Sequence, residues 1–461
     1  MVPLQGWTTL LAPGSYASGN GGVTRLGPES GQSETGGAST RSPRTRGRSD
    51  QSAGRLRGVQ RALWSAIDAL PLHRHVVRVA KRLRRALVRS TRPSEASLSG
   101  GEELFCDRPF RWLEVSGVRL RGEAHLCCPS WLDLPVGDLS RQSVEEVWNG
   151  ETAQRIRRSI LDGSFRHCDA ARCPFLASRI DPVRRRSEIE DAELRLVLEQ
   201  GLTRLPWGPQ EINCAFDRSC NLSCPSCRTD LIVEKEASPD IRAIGERLRT
   251  EALPGARVLY VTGSGDPFGS PFFRSWLQDM TEADVYGLDR IHLHTNAQLW
   301  TRRAWGKLPA HVRERIRTTE ISVDAASPGT YAVNRRGGRF ETLLENLELV
   351  AELRRVGPLR WVGLSFVVQD NNFREMAAFV ELVKRFGFDR VMFNRVLNWG
   401  TFSSSEYRSR AVHLKGHPRH ADLLEVLRDS AFADPIVQLG NLQIFRDPGV
   451  GQRGVAPFRP D

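Results

Sequence analysis

The 461-residue chain has no run of eighteen or more apolar residues, so its sequence offers no helix that would cross a bilayer. The first residues, MVPLQGWTTLLAPGSYA, lack the basic start and long apolar core of a secretory signal. A nucleic-acid footprint is also missing from the body. Of the net charge of +12, residues 1–100 carry most, with 16 Lys/Arg against 5 Asp/Glu, while the rest holds 50 against 49. A body so close to neutral lacks the basic stripe that phosphates require, which makes a nucleic-acid partner unexpected. Scattered cysteine is absent too. The nine cysteines are odd in number and clustered, which suits reduced, metal-binding thiols in the cytoplasm better than disulfides.

The richest stretch is residues 213–230, NCAFDRSCNLSCPSCRTD. Cys220, Cys224 and Cys227 form C-x3-C-x2-C, with Pro225 inside the turn. Thiolates this close suit a soft metal or an iron–sulfur cluster. Three ligands would leave one iron of a four-iron cluster without a protein ligand. A structural zinc knuckle is the alternative, although it normally wants a fourth Cys or His. Spacing alone leaves both open.

Along the chain, residues 1–55 are rich in Gly, Ser, Thr and Arg and hold few aliphatics, a composition expected to stay disordered. Two basic helices are predicted over 56–70 and 73–90, as a solvated or loosely docked pair or a contact for an anionic membrane surface. A linker completes the extension to residue 101. Residues 102–180 read as a small cysteine-bearing unit with Cys106, Cys127, Cys128, Cys168 and Cys173. Ser143 with Glu146 three residues on predicts a capping box. So many thiols beside so little apolar sequence suggest that a metal centre adds stability, with a zinc ribbon as the alternative. A charged helix over 181–205 is expected to link this unit to the next, the whole linker running to 209. From 210 to 400, strands are expected at 211–217, 257–262, 290–295, 319–324, 360–368 and 389–395. Helices are expected at 238–252, 271–283, 302–316, 340–355 and 372–386. Six β/α units with near-continuous apolar strands predict an α/β fold, a parallel sheet curled into a partial (β/α)6 TIM-like barrel. Chemistry in such sheets collects at the carboxyl ends of the strands, where the three-Cys loop falls. Residues 401–461 form an extension: a loop, a helix from HADLLEVLRDSAF, PIVQLGNLQIF as a candidate last strand, and a loose tail.

Polar residues close several of these apolar strands. The second is followed by VTGSGDPFGS, in which Gly263 and Gly265 would let a backbone approach a ligand and Asp266-Pro267 would set a rigid turn. The third presents Thr295 and Asn296, and the fourth Ser322 and Asp324, with Arg335 and Arg336 soon after. Polar groups at such positions cost burial unless they are satisfied or used. Cys214, inside the first strand, reads as a core residue.

C-x3-C-x2-C after strand one, GSGDP after strand two, TNA after strand three and SVDAASPGTY after strand four resemble the radical S-adenosylmethionine enzymes, over about 210–400. The resemblance implies that Cys220, Cys224 and Cys227 bind a [4Fe–4S] cluster whose fourth iron takes S-adenosyl-L-methionine. It implies that Gly263, Gly265 and Asp266 match the segment that meets the methionine amine, that Thr295 and Asn296 lie at the cofactor, that Ser322 lies near the ribose or carboxylate, and that Val368 flanks the adenine. Two positions depart from the pattern: Ser226 stands where an aromatic is usual, and Ala297 where glycine is usual. Residues 102–180 resemble a SPASM-type auxiliary domain, here before the barrel rather than after it. That resemblance implies a second [4Fe–4S] cluster on Cys106, Cys127, Cys168 and Cys173, with Cys128 as a packing neighbour. The implied activity is hydrogen abstraction from a peptide or small molecule, with net oxidation or bond formation supported by the auxiliary cluster. An electron donor such as flavodoxin or ferredoxin is expected, and a separate leader-peptide-binding protein would serve a peptide substrate. The alternatives are a sugar dehydrogenase or epimerase of the same superfamily and a non-catalytic zinc scaffold.

Overall fold

A computed structural model describes residues 103–446, apart from 118–121, 171, 180 and 262. The disordered stretch and basic helices expected before residue 101, and the loose tail after 446, lie outside the described residues. Twelve strands are described: β1 (Leu104–Cys106), β2 (Trp112–Ser116), β3 (Glu123–His125), β4 (Gly137–Asp138), β5 (Val183–Arg185), β6 (Glu211–Ala215), β7 (Val258–Val261), β8 (Arg290–Thr295), β9 (Ile316–Ser322), β10 (Trp361–Val368), β11 (Arg390–Arg395) and β12 (Val437–Gln438). Ten of them make one sheet in the order β12-β11-β10-β9-β8-β7-β6-β2-β3-β4, and β1 pairs with β5 in a second. From β12 to β2 the neighbours are parallel, and the β2–β3 and β3–β4 pairs are antiparallel. The expected strands β6 to β11 all form, separated by helices in the expected α/β order.

The cysteine-bearing unit does not build a sheet of its own around its β2–β3 hairpin. Strand β2 lies parallel to β6, with Trp112 opposite Glu211 and Glu114 opposite Asn213, so the hairpin extends the large sheet. The strands are also less uniformly apolar than expected. In β8, Ile291 and Leu293 are fully buried in the main core, while His292 occupies the other face. Register places Glu114, Asn213, Tyr260, His292, Thr318 and Trp361 in one row across β2, β6, β7, β8, β9 and β10. All six are buried. One sheet face therefore packs against helices and the other carries an interior polar and aromatic row. Trp112, two residues before Glu114 on β2, meets the Tyr260 ring of this row at 5.1 Å between centroids, and Tyr260 meets His292 at 5.4 Å.

Three local expectations change. The helix expected over 181–205 forms only as Ala192–Gln200. Before it, Val183 pairs with Cys106 across β5 and β1, and Asp191 then caps the helix by accepting from the Leu194 N–H. Residues 398–413, expected as a loop, are not all loop. Ser403 accepts from the Glu406 N–H and starts a helix over Ser404–Arg410, a cap readable in SSSE. The candidate last strand shrinks to Val437–Gln438, followed by a 3₁₀ turn and a short helix. The capping box at Ser143 and Glu146 forms as read.

A buried cation joins the parts near β2. Arg157, on the helix Glu151–Leu161, is fully buried; its Nε donates to the Pro109 carbonyl at 2.9 Å, and Nη1 to Asn149 Oδ1 at 3.0 Å and the Thr203 carbonyl at 2.9 Å. Its guanidinium lies over the Trp148 ring, 4.4 Å from the centroid. Replacement Arg157→Met should lower stability by about 3 kcal/mol, because three acceptors lose a charged donor. A urea midpoint equal to that of the wild type would contradict this role.

Candidate functional site

The three-Cys loop leaves the carboxyl end of β6. Asp217 accepts from the Ser219 N–H at 2.9 Å, and the Cys220 N–H donates to the Ile232 carbonyl at 2.8 Å. The Cys227 and Arg228 N–H groups both return to the Cys224 carbonyl, at 2.9 and 3.0 Å, closing the turn around Pro225. Cys220 and Cys224 are buried and pack with Leu222, and the half-buried Cys227 joins them. Burial pushes the Cys220 thiol up to about 12, with Asp266 adding to the rise. Burial also raises Cys224, opposed by the Arg335 guanidinium. Donors point at all three sulfurs. The Leu222 N–H lies 3.4 Å and Asn296 Nδ2 3.5 Å from Cys220 Sγ. Arg228 Nη2 lies 3.5 Å from Cys227 Sγ, and Arg335 Nη1 lies 3.8 Å from Cys224 Sγ.

The loop after β7 holds this turn in place. A Cβ on Gly265 would stand 2.6 Å from the Ser219 carbonyl oxygen and 2.7 Å from that of Asp217. The glycine thus permits close approach to the protein's own cysteine loop. Asp266 is buried, and each of its oxygens is used twice. Oδ1 accepts from the Phe268 and Gly269 N–H groups at 3.0 and 2.8 Å, and Oδ2 from Thr295 Oγ1 and the Asn296 N–H, both at 2.8 Å. Asn296 also donates to Asn221 Oδ1 at 3.0 Å. The residues 265, 266, 295 and 296 therefore form one internal brace between the ends of β7 and β8. Gly263 lies half-buried in the same loop. At Ala297 the usual glycine position has φ of +57°, which costs a residue with a side chain about 1–2 kcal/mol. Its fully buried methyl offsets about 0.8 kcal/mol of that.

Beside the cysteine loop, an open cleft runs along the carboxyl ends of β8 to β11. Ser226 and Ser322 line it, with Arg335, His294, Val367 and Arg395. His294 Nε2 lies 3.0 Å from Ser322 Oγ. Arg335 is buried and pairs with the buried Asp324 at 2.8 Å. Val368 does not face the cleft: it is fully buried in the main core, and strand alternation gives the cleft to Val367. Sequence reasoning also missed Arg228, His294 and Arg395. Alternation in RIHLHT was the available signal for His294, and adjacency to the third Cys the signal for Arg228.

A second set of thiols gathers in the earlier unit. Cys106 ends β1, Cys127 follows β3, Cys168 sits in a turn, and Cys173 caps the helix Pro174–Ser178. Burial raises Cys106 most, and Cys127, Cys168 and Cys173 each add to the rise, so all four lie within one another's fields. Cys128 instead feels Glu114 most strongly after burial and, of these thiols, only Cys127. The Trp131 indole N–H donates to Cys127 Sγ at 3.2 Å. Among the described residues, no group of three or more His, Cys, Asp or Glu side chains is drawn together as a chelate of one metal ion. Cys214 is buried in the core, as expected.

The family model of the SPASM iron-sulfur cluster-binding domain matches residues 106–174. This stretch is a SPASM domain. It begins at Cys106 and takes in Cys127, Cys168 and Cys173. No curated protein matches the chain. Among solved structures, SuiB of Streptococcus suis bound to S-adenosylmethionine is 12% identical, with a TM-score of 0.36 and coverage of 66% of this chain and 65% of its own. The same protein bound to precursor peptide SuiA is 14% identical, with a TM-score of 0.33 and 55% coverage of each chain. TYW1 with a lysine-pyruvate adduct bound is 15% identical, with a TM-score of 0.31 and coverage of 48% of this chain and 72% of its own. Likenesses this remote transfer no chemistry to the present chain.

Two tests follow from this arrangement. Asp266→Ala would strand four donors and should cost about 3 kcal/mol or more, read as a lower urea midpoint. Glu114, buried on the polar row within the SPASM stretch, is pushed up by burial from 4.5 to about 7, against the opposing effects of Asn213, Arg108 and Trp112. A raised carboxyl contributes fully below its unfolded value and loses that contribution as pH rises through the folded one. Between about pH 4.5 and 7 this group should thus remove up to about 3 kcal/mol of stability. Glu114→Gln should flatten that slope; an unchanged difference between pH 5 and pH 8 would refute it.

Proposed function

We propose that the chain is a radical S-adenosylmethionine enzyme whose SPASM domain holds an auxiliary [4Fe–4S] cluster. The observation that carries this reading is the convergence of Cys220, Cys224 and Cys227 between two buried guanidiniums, at the strand ends and beside an open cleft. The residues fit the group: three thiols would hold three irons, and the cations and N–H donors around them suit an anionic cluster. Cys106, Cys127, Cys168 and Cys173 would hold the auxiliary cluster, and their mutual fields favour Cys127 over Cys128. The α/β sheet is then a partial barrel of radical S-adenosylmethionine type.

When bound, the cluster and S-adenosylmethionine supply a 5′-deoxyadenosyl radical that removes a hydrogen atom from the substrate. The chain's own contribution is positioning and exclusion of water. Ser226, Ser322 and Arg335 line the cleft and would meet the cofactor there, and Val367 would take the place expected of Val368. Gly263, half-buried in the loop after β7, would meet the methionine end. Asp266, Thr295 and Asn296, bonded to one another, and Gly265, packed against the Ser219 and Asp217 carbonyls, would act by fixing the cysteine loop. The substrate is a peptide or a small molecule, and a flavodoxin or ferredoxin supplies electrons in the cytoplasm. No helix among the described residues is long and apolar enough to cross a membrane.

Anaerobic reconstitution should give about eight irons per chain, four per cluster, and 5′-deoxyadenosine on reduction. Cys220→Ala should abolish 5′-deoxyadenosine formation while keeping the auxiliary irons. A protein that takes up only zinc and never cleaves S-adenosylmethionine would be a scaffold instead.

A further inference from the structure

Arg228 follows the third cysteine and is buried. Its Nη1 donates to the Arg218 carbonyl at 2.8 Å, and its Nη2 to the Ser264 carbonyl at 2.8 Å. The same Nη2 lies 3.5 Å from Cys227 Sγ. Its hydrogen-bond partners are thus two carbonyls and a sulfur, with no carboxylate among them. The other buried guanidinium of the site, Arg335, has Asp324 at 2.8 Å as its counter-charge. A buried cation without a paired anion is costly, and carbonyl dipoles offset only part of that cost. The groups that favour its charge are Cys227, Cys220 and Cys224 together. The thiolates of a loaded site would complete the charge balance that the protein leaves open.

We infer that Arg228 is a positioning residue whose charge sets the reduction potential of the group held by Cys220, Cys224 and Cys227. This role for Arg228 rests on the reading of that loop as a cluster site. A fixed cation beside the sulfurs lies closer to them than any screening by bulk water, and adding one electron to the cluster increases the negative charge that it faces. It therefore favours the reduced form. The fork also joins the start of the cysteine loop to the turn after β7, so charge and bracing must be separated by experiment.

The test is a dithionite titration followed by electron paramagnetic resonance, on full-length protein whose auxiliary cysteines are intact. One electron from dithionite reduces the cluster from [4Fe–4S]2+ to [4Fe–4S]+, and dithionite is oxidised. Arg228→Gln, which removes the charge, should lower the equilibrium constant for reduction roughly tenfold, about 59 mV for one electron. Arg228→Lys, which keeps the charge but loses the planar fork, should remain near the wild type. An unchanged potential in a fully loaded Arg228→Gln protein would overturn the inference. If Arg228→Gln fails to load, a loaded Arg228→Lys protein with a wild-type potential supports the charge role. Failure of both to load assigns Arg228 to bracing alone and overturns it. Absence of a reducible cluster on the wild-type loop would instead remove the functional reading beneath it.

Discussion

The geometry of the site depends on one buried carboxylate, Asp266. It accepts four hydrogen bonds, two from its own turn and two from the end of β8. A carboxylate so deeply buried would be unfavourable if any of its oxygens stood alone. Saturated, it fixes where the β7 turn ends, and Gly265 in that turn presses directly on the cysteine loop. The position of three thiols thus traces back to a carboxylate whose two oxygens are both engaged within the protein. The same brace takes in Thr295 and Asn296, and Asn296 carries it to Cys220 Sγ.

Charge is distributed around the two thiol sets by different means. At the cysteine loop, Arg228 and Arg335 donate to sulfur directly. In the SPASM domain, the buried Arg108 lies 3.9 Å from the Trp112 ring centroid, and its charge counters the rise of the Cys127 and Cys173 thiols. Trp112 belongs to β2, the strand by which the SPASM domain joins the large sheet. The interior polar row that starts at Glu114 therefore begins at this domain and continues along the strands that carry the cleft. Sharing one sheet makes the two cysteine-bearing parts a single folding problem, because neither edge of the β2–β6 pair is free.

Much of the α/β core was legible before any coordinates. Six strands and the helices between them follow from short apolar runs alternating with helical periodicity, and Ser143 with Glu146 reads directly as a cap. Misreadings arose where a local pattern was compatible with two outcomes. The charged segment after residue 181 has helical composition, but Val183 pairs with Cys106 instead. Val368 and Val367 are chemically equivalent in sequence, and only the pleat decides which one meets the cleft. Gly265 reads in the sequence as a place where the backbone approaches a ligand, and in the structure it approaches the protein's own cysteine loop.

The sequence by itself determined the chemistry within reach: three thiols in eight residues, a second cysteine set upstream of them, and a parallel sheet whose strand ends carry polar residues. These are local facts, set by spacing and periodicity. Tertiary structure decided which polar residues are committed and which are available. Asp266 and Thr295 are consumed in mutual hydrogen bonds, Arg335 is matched by Asp324, and Arg228 is left facing the sulfurs. That division depends on contacts between residues tens of positions apart, and no spacing rule encodes the burial and donor count from which it follows.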